Sequence, residues 1–355
     1  MSIHFHFIYH FEYVFDILCL ENQSESEDIQ RTSKLGILGT GVIANEMAVA
    51  LQKMGKSLYA LGNRTHQKAI DFVKKYGVEK VYDQIDDMFF DDNVDIIYIT
   101  SPHNTHYSFM KKALEQGKHL LVEKSITLNS RELDEMIALA NEKQRILAEA
   151  MTIWHMPLYK KLWNIVNSGQ LGNVQIITMN FGSFKEYDMN NRFFNMNLAG
   201  GAMLDIGVYA LSIVRSFMKE TPTEILSQWK ASPTGSDEQA TVLLKNTSEQ
   251  MATVALSMHS KQPKRDMISC EKGYIEIMEY PRADKAIIVD AETGEVTKIE
   301  AGETPNALYY EMMDMEKAVK TGDSSSMNLT YSKDVMDIMT KLRKEWGLKY
   351  PKEEW

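Results

Sequence analysis

Cysteine is nearly absent from this 355-residue chain, which has only Cys19 and Cys270. Two thiols make neither a disulfide framework nor a metal cluster, and they suit a reducing, cytoplasmic compartment. Positive charge is also short: Lys and Arg total 39 against 49 Asp and Glu, a net charge of -10. That argues against a nucleic acid or an anionic membrane surface as the main partner. No Lys or Arg occurs before Arg31. The aromatic and apolar start, Met1 to Leu20, therefore lacks the basic flank of a signal peptide. Glu12, Asp16 and three histidines interrupt that run, which argues against a membrane-spanning helix. His4, His6 and His10 match no standard metal spacing, and no metal is expected. Residues 1–33 read as an extra, poorly ordered segment ahead of the first domain. The chain has no internal repeat and no low-complexity linker.

What is present is a globular composition, 44% hydrophobic and 25% charged, with length for about two domains. The 23 methionines are scattered and read as core filler. From 34 to 150, strands (35–38, 57–61, 94–100, 119–122, 146–150) alternate with helices (from 43, 66–76, 104–116, 130–143). The run VDIIYIT at 94–100 is continuous, as in strands buried on both faces of a parallel sheet. This rhythm predicts an α/β domain, a doubly wound parallel sheet with ligands at the carboxyl ends of its strands. After 150 the rhythm changes. Helices at 158–167 and 201–218 are followed by strand-like runs at 224–229, 240–244, 252–257, 274–277 and 286–289, after one at 174–180. Two helices follow at 307–320 and 332–346. Residues 151–355 thus read as a second, α+β domain with a large, mostly antiparallel sheet for substrate binding and oligomerisation.

The most informative stretch is Gly39-Thr40-Gly41-Val42-Ile43-Ala44, set between the first strand and an amphipathic helix. Strand, glycine turn and helix turn a weak G-x-G-x-x-A string into a dinucleotide-binding fingerprint. The first glycine permits the turn, the second lets backbone approach a pyrophosphate, and Ala44 lets helix pack on strand. The helix N-terminus offers free N–H groups to the phosphates. About 20 residues on, such domains often place a carboxylate for the ribose hydroxyls. Here the second strand ends Leu61-Gly62-Asn63-Arg64-Thr65, with no acid. Arg64 is placed to pair with a 2′-phosphate, helped by Asn63 or Thr65, so the expected cofactor is NADP(H), with NAD(H) the alternative. The other reading of Arg64 is an exposed arginine at a helix start. Ser101, His103, Asn104 and His106 follow a strand end and face the cofactor crevice, unless Asn104 is a helix N-cap and the histidines are idle loop residues.

Glu123-Lys124 ends the next strand on the same edge. An ammonium there can hold a substrate oxygen and stabilise alkoxide charge. In Gly200-Gly201-Ala202-Met203-Leu204-Asp205-Ile206-Gly207-Val208-Tyr209, Asp205 and Tyr209 share one helix face. A free tyrosine titrates near 10, and a neighbouring ammonium would favour its phenolate.

GxGxxA, then Glu-Lys after a later strand, then G-G-A-x-x-D-x-G-x-Y, in this order and spacing, resembles the Gfo/Idh/MocA family, named for glucose–fructose oxidoreductase and inositol dehydrogenase. The resemblance covers about residues 34 to 355. Tyrosine at 209 and the run Arg192-Phe193-Phe194-Asn195 are similar to the dimeric dihydrodiol dehydrogenase and NADP-dependent xylose dehydrogenase branch. The resemblance implies a Rossmann domain, a C-terminal sheet domain often used for dimerisation, and hydride transfer at a carbon bearing a hydroxyl. It implies catalytic roles for Lys124, Asp205 and Tyr209, and a cofactor-facing Glu123. Two departures stand out. Ser125 replaces the proline of the Glu-Lys-Pro motif, which leaves Lys124 expected to be held less firmly. Trp154-His155-Met156-Pro157 stands where many relatives carry arginine, so Trp154 or His155 is expected to shape the substrate pocket, with Arg192, or to be ordinary packing. The expected function is an NADP(H)-linked dehydrogenase or reductase of a sugar, polyol or dihydrodiol, acting as a homodimer or dimer of dimers. The rival readings are a non-catalytic NADP(H) sensor and a redox-neutral enzyme with tightly held NAD.

Overall fold

A computed structural model describes residues 33–355. The expectations for the N-terminal segment, including the three histidines, lie outside the described residues. The first sheet has six parallel strands in the order β3-β2-β1-β4-β5-β6. They are β1 (Leu35–Leu38), β2 (Ala60–Gly62), β3 (Lys80–Tyr82), β4 (Ile96–Ile99), β5 (His119–Glu123) and β6 (Leu147–Ala150). Helices α1 (Val42–Lys53), α2 (His66–Tyr76), α3 (Ile85–Phe89), α4 (His106–Glu115) and α5 (Ser130–Glu142) connect them. β1, β4 and β6 are buried along their whole length. The burial of β1 and β4 follows from their unbroken apolar runs. The chain leaves β1 toward one side and β4 toward the other, so the loops after these two strands flank a crevice.

The second sheet has eight strands in the order β14-β13-β12-β11-β7-β10-β9-β8. They are β7 (Val174–Gly182), β8 (Glu224–Ala231), β9 (Asp237–Lys245), β10 (Met251–Ser257), β11 (Gln262–Cys270), β12 (Gly273–Met278), β13 (Lys285–Asp290) and β14 (Val296–Glu300). All pairs are antiparallel except β7 with β10. One face packs on α6 (Pro157–Asn167), α7 (Val208–Phe217) and α9 (Leu329–Glu345), whose buried residues join its core. The helical stretch Met196–Phe217 is apolar enough to cross a bilayer by composition, yet 83% of its most apolar window is buried inside the fold. Burial in protein accounts for that composition. α8 (Ala307–Thr321) packs its Leu308, Met312 and Met315 with α1 and β1 of the first sheet. Residues beyond the second sheet thus complete the first core.

Candidate active site

The crevice begins at the glycine turn. Gly39 has φ +118°, and a Cβ there would lie 2.5 Å from Thr100 Oγ1. Only glycine fits that conformation and approach. Its N–H donates to Gly62 O at 2.8 Å, so the turn lies against the end of β2. Asn45 Nδ2 donates to Gly41 O (2.8 Å) and Thr40 O (3.2 Å), tying the loop carbonyls to the helix. α1 has no side-chain cap and no acid in its first turn, which leaves its positive end unmatched. Thr40, Gly41 and Val42 line part of a cavity of 750 Å³, and Val42 is 79% exposed. Ile43 is half-buried. A cofactor's phosphates fit these groups: helix N-terminal N–H donors and glycine backbone, with the one carboxylate in the cavity lining, Glu46, already paired with Arg282. Arg64 is exposed and has no hydrogen bond or ion pair among the described residues. Asn63 Nδ2 donates to Thr65 O at 2.8 Å, shaping the turn that presents Arg64.

The loop after β4 is more structural than the sequence suggests. His103 Nε2 donates to Lys124 O at 2.9 Å, and burial brings its pKa down to about 3, so the ring is neutral. His106, expected to face the cofactor, is fully buried. Its ring nitrogens lie 2.7 Å from Ser101 O and 3.1 and 3.2 Å from Ser125 O and Ile126 O. It therefore has no atom to offer a cofactor and pins the two loops together. Asn104 caps no helix; its Nδ2 donates to Asn197 O (3.0 Å), bridging the two domains. Ser101 Oγ accepts from Thr105 Oγ1 at 2.7 Å.

Lys124 follows β5, and the Lys124–Ser125 peptide is cis. Ser125, expected to hold Lys124 less firmly than proline, is buried and donates to Leu204 O at 2.9 Å. It thereby joins the lysine segment to the turn that carries Asp205. That turn, Met203–Gly207, is a π turn that widens the start of the helix continued by α7, a geometry common at functional sites. Gly201, at φ +142°, lies against the Asp237 carboxylate, which accepts Met203 N at 2.5 Å. The Lys124 ammonium donates to Asp205 O (2.8 Å) and Asp205 Oδ1 (3.0 Å), and lies 4.8 Å from the Tyr209 ring centroid. An ammonium has three donors, so one is left over. Arg192 Nη1 also reaches Asp205 Oδ1 at 3.4 Å.

Electrostatics follow from this packing. Burial works to raise the Asp205 pKa, but the Lys124 and Arg192 charges outweigh it and bring it to about 2. Burial opposes the Lys124 charge, and Asp205 and Tyr209 overcome it, leaving the lysine above its ordinary value. Tyr209 goes the other way from expectation. Burial raises its hydroxyl, and Lys124 only partly offsets this. The Tyr209 hydroxyl makes no hydrogen bond among the described residues. Glu123 accepts from Tyr98, and burial raises its carboxyl above the usual range.

Trp154 and His155, the expected pocket residues, lie in the core instead. Trp154 is 0% exposed, near the Tyr331 ring, and His155 Nδ1 lies 2.8 Å from Asp314 Oδ2. Neither has surface to offer a ligand. Sequence reasoning missed Arg282. It lines the 750 Å³ cavity and donates to Glu46 Oε2 at 2.8 Å, across from the second domain to α1. It also missed the brace around the lysine segment. Arg343 Nη2 donates to Leu128 O and, at 2.8 Å, to Glu353, which accepts from Asn129 Nδ2 at 2.9 Å; Tyr350 donates to Gly200 O at 3.0 Å. No local motif marks these residues.

A doubly wound domain with a glycine turn at its strand reversal, opening on a second domain's polar crevice, defines a dinucleotide-dependent oxidoreductase. The chain belongs to the Gfo/Idh/MocA family. Residues 33–151 match the oxidoreductase family model with NAD-binding Rossmann fold, and residues 159–276 match the GFO/IDH/MocA C-terminal domain. It is 27% identical over 333 residues to trans-1,2-dihydrobenzene-1,2-diol dehydrogenase of Xenopus laevis, covering 90% of this chain and 99% of that one. The Homo sapiens protein of the same name is 26% identical over 330 residues, covering 90% and 98%. In fold it is similar to a 3-ketoreductase from Actinomadura kijaniata, in complex with NADP and TDP-benzene (TM-score 0.79, 20% identity, 88% and 98% covered). It is likewise similar to a levoglucosan dehydrogenase in complex with NADH and levoglucosan (TM-score 0.80, 15% identity, 90% and 99% covered). The chain is an NAD(P)-dependent oxidoreductase of this family.

Proposed function

We propose that the protein is an NADP-preferring dehydrogenase or reductase acting on a CH–OH group of a sugar, polyol or dihydrodiol. The observation that carries this reading is the Lys124 ammonium, which is fixed by two bonds to Asp205, lies beside the Tyr209 ring and keeps one donor free. The nicotinamide, when bound, accepts or supplies the hydride. Gly39, Thr40, Gly41, Val42 and Ile43 would hold its phosphates, Arg64 a 2′-phosphate, and Ser101 and His103 the wall after β4. Lys124 holds the substrate oxygen with its free N–H. Tyr209 takes the hydroxyl proton in oxidation and returns it in reduction. Asp205 holds Lys124 in place and keeps it charged. Burial keeps Tyr209 protonated near neutrality, the form that gives a proton in reduction; taking one in oxidation needs the phenolate that the Lys124 ammonium favours. Charge complementarity at Arg64, with no acid in its turn, supports NADP over NAD. Leu226, Leu243 and Met251 are exposed on one face of the second sheet, which supports a homodimer or dimer of dimers through that face.

The test is Tyr209→Phe, assayed at the reduced-nicotinamide absorbance with sugars, polyols and dihydrodiols. The phenyl ring keeps the packing and removes only the hydroxyl. kcat should fall by about 10²-fold or more. Activity within a few-fold of the parent would remove Tyr209 from the reaction. Tight NADPH binding with no turnover across the panel would favour a sensor.

A further inference from the structure

We propose that the substrate carries an anionic group, a carboxylate or a phosphate, held by Lys185 and Arg192. The proposal rests on the reading above that the Lys124–Asp205–Tyr209 crevice receives the reacting carbon. Between β7 and Gly200, the chain brings two cations onto one aromatic ring. The Arg192 guanidinium carbon lies 4.4 Å, and Lys185 Nζ 4.6 Å, from the Phe193 ring centroid. Arg192 is the link to the reacting end, because it also reaches Asp205, and 57% of its side chain remains exposed.

The local charge does not balance. Asp205 is one carboxylate facing both Lys124 and Arg192. Lys185 pairs with no carboxylate among the described residues. Glu123 bonds neither Lys185 nor Arg192; its carboxyl is engaged by Tyr98. Arg282 is already matched by Glu46. Asp188, close by in sequence, accepts Asn190 N at 2.9 Å within its own turn, and Glu186 bonds neither cation. An ammonium without a carboxylate, on the ring that also carries Arg192, in a chain with net charge -10, is a local field that selects an anion.

The backbone that carries Lys185 is also held in place. Lys185 N donates to Met258 O at 2.8 Å, and its carbonyl accepts from His259 Nδ1 at 2.8 Å. The His259 ring stacks with Phe184 (5.3 Å) and Tyr187 (3.9 Å). A backbone fixed from both sides, and a guanidinium laid on a ring, lose little freedom on binding. A planar guanidinium fork and an ammonium held on one ring offer donors to the oxygens of a carboxylate or phosphate. A neutral polyol would leave Lys185 unmatched.

Calorimetric titration of the NADPH-bound protein tests this with matched trios: glucose, glucuronate and glucose 6-phosphate, and the corresponding galactose and mannose sets. In the parent protein an anionic member should bind about tenfold or more tighter than its neutral partner. The carboxylate and phosphate arms tell which group is preferred. The gap should shrink several-fold in Lys185→Gln and at high salt, and return in Lys185→Arg. Equal binding within every trio, no binding by any anionic member, or a preference untouched by Lys185→Gln would overturn the proposal. Turnover of neutral polyols alongside such a result leaves the oxidoreductase reading standing. Anion binding with no turnover of any compound overturns the reaction and keeps the site.

Discussion

At the scale of single residues, the site turns on charges that burial and neighbours push in opposite directions. The Tyr209 hydroxyl is raised by burial despite the ammonium beside it, while Asp205 is held ionised by two cations. Sequence spacing brought Lys124, Asp205 and Tyr209 into view as residue types. It could not weigh desolvation against charge, which depends on how much water each group keeps. The same limit explains Trp154 and His155, whose burial comes from packing of α6 and its neighbours and leaves no mark on their own segment. Arg64 is the residue on which cofactor choice is expected to turn. In Arg64→Gln, kcat/KM with NADPH should fall about tenfold or more, the size of a lost charge-assisted bond. The value with NADH should change far less. Measuring both with one substrate checks this, and an equal loss with the two cofactors would place the 2′-phosphate elsewhere.

At the scale of elements, the parallel core was legible because its central strands β1 and β4 are apolar throughout and α1, α2 and α4 are followed by Gly55, Gly77 and Gly117. α2 runs His66–Tyr76, as its periodicity predicts, and stops at Gly77 in a left-handed conformation. Elements that depend on neighbours were not legible. β3 has three residues, and α3 has five. β11 carries Lys264, Arg265 and Asp266, yet is a strand because β7 and β12 pair with it on both sides. β14 is almost wholly exposed and is held by β13 alone. The joint between the lysine segment and the π turn is likewise a tertiary contact, made by the Ser125 hydroxyl. Ser125→Ala removes that one bond. Stability should fall by about 1 kcal/mol, typical of a buried hydrogen bond. kcat should fall several-fold more than substrate KM changes, because Lys124 and Asp205 lose a shared anchor. Denaturant unfolding with steady-state kinetics measures both, and an unaltered kcat would make Ser125 a packing residue only.

At the scale of the whole molecule, stability and function share the buried polar layer between the domains. Glu149, on β6, accepts from Ile126 N (3.1 Å) and Ser332 Oγ (2.7 Å), so it links the lysine segment to α9. Burial raises its pKa from 4.5 to about 7. A carboxyl raised in the folded state stabilises below its unfolded value. That contribution is lost as pH climbs from about 4.5 to about 7, because the unfolded chain ionises first. Glu149→Gln keeps the shape and cannot ionise. Its stability relative to the parent should therefore rise across that window, by at most a few kcal/mol, and level off above about pH 7. Parallel urea unfolding from pH 4 to 8 reads this directly, and a difference that does not vary with pH would show that Glu149 titrates normally.

The chain by itself determined the doubly wound core, the glycine turn, the lysine, aspartate and tyrosine types, and the family they resemble. Those features are carried by local patterns: continuous apolar runs, helical spacing, and glycine where no side chain fits. Only the tertiary structure decided that His106 and Trp154 are buried, that Arg282 reaches α1, and that Lys124 is anchored by Asp205 with Ser125 as its brace. It alone set Arg192 and Lys185 on the same ring. Residues far apart in sequence meet only once both sheets are packed. Burial, which sets their charge states, exists only then.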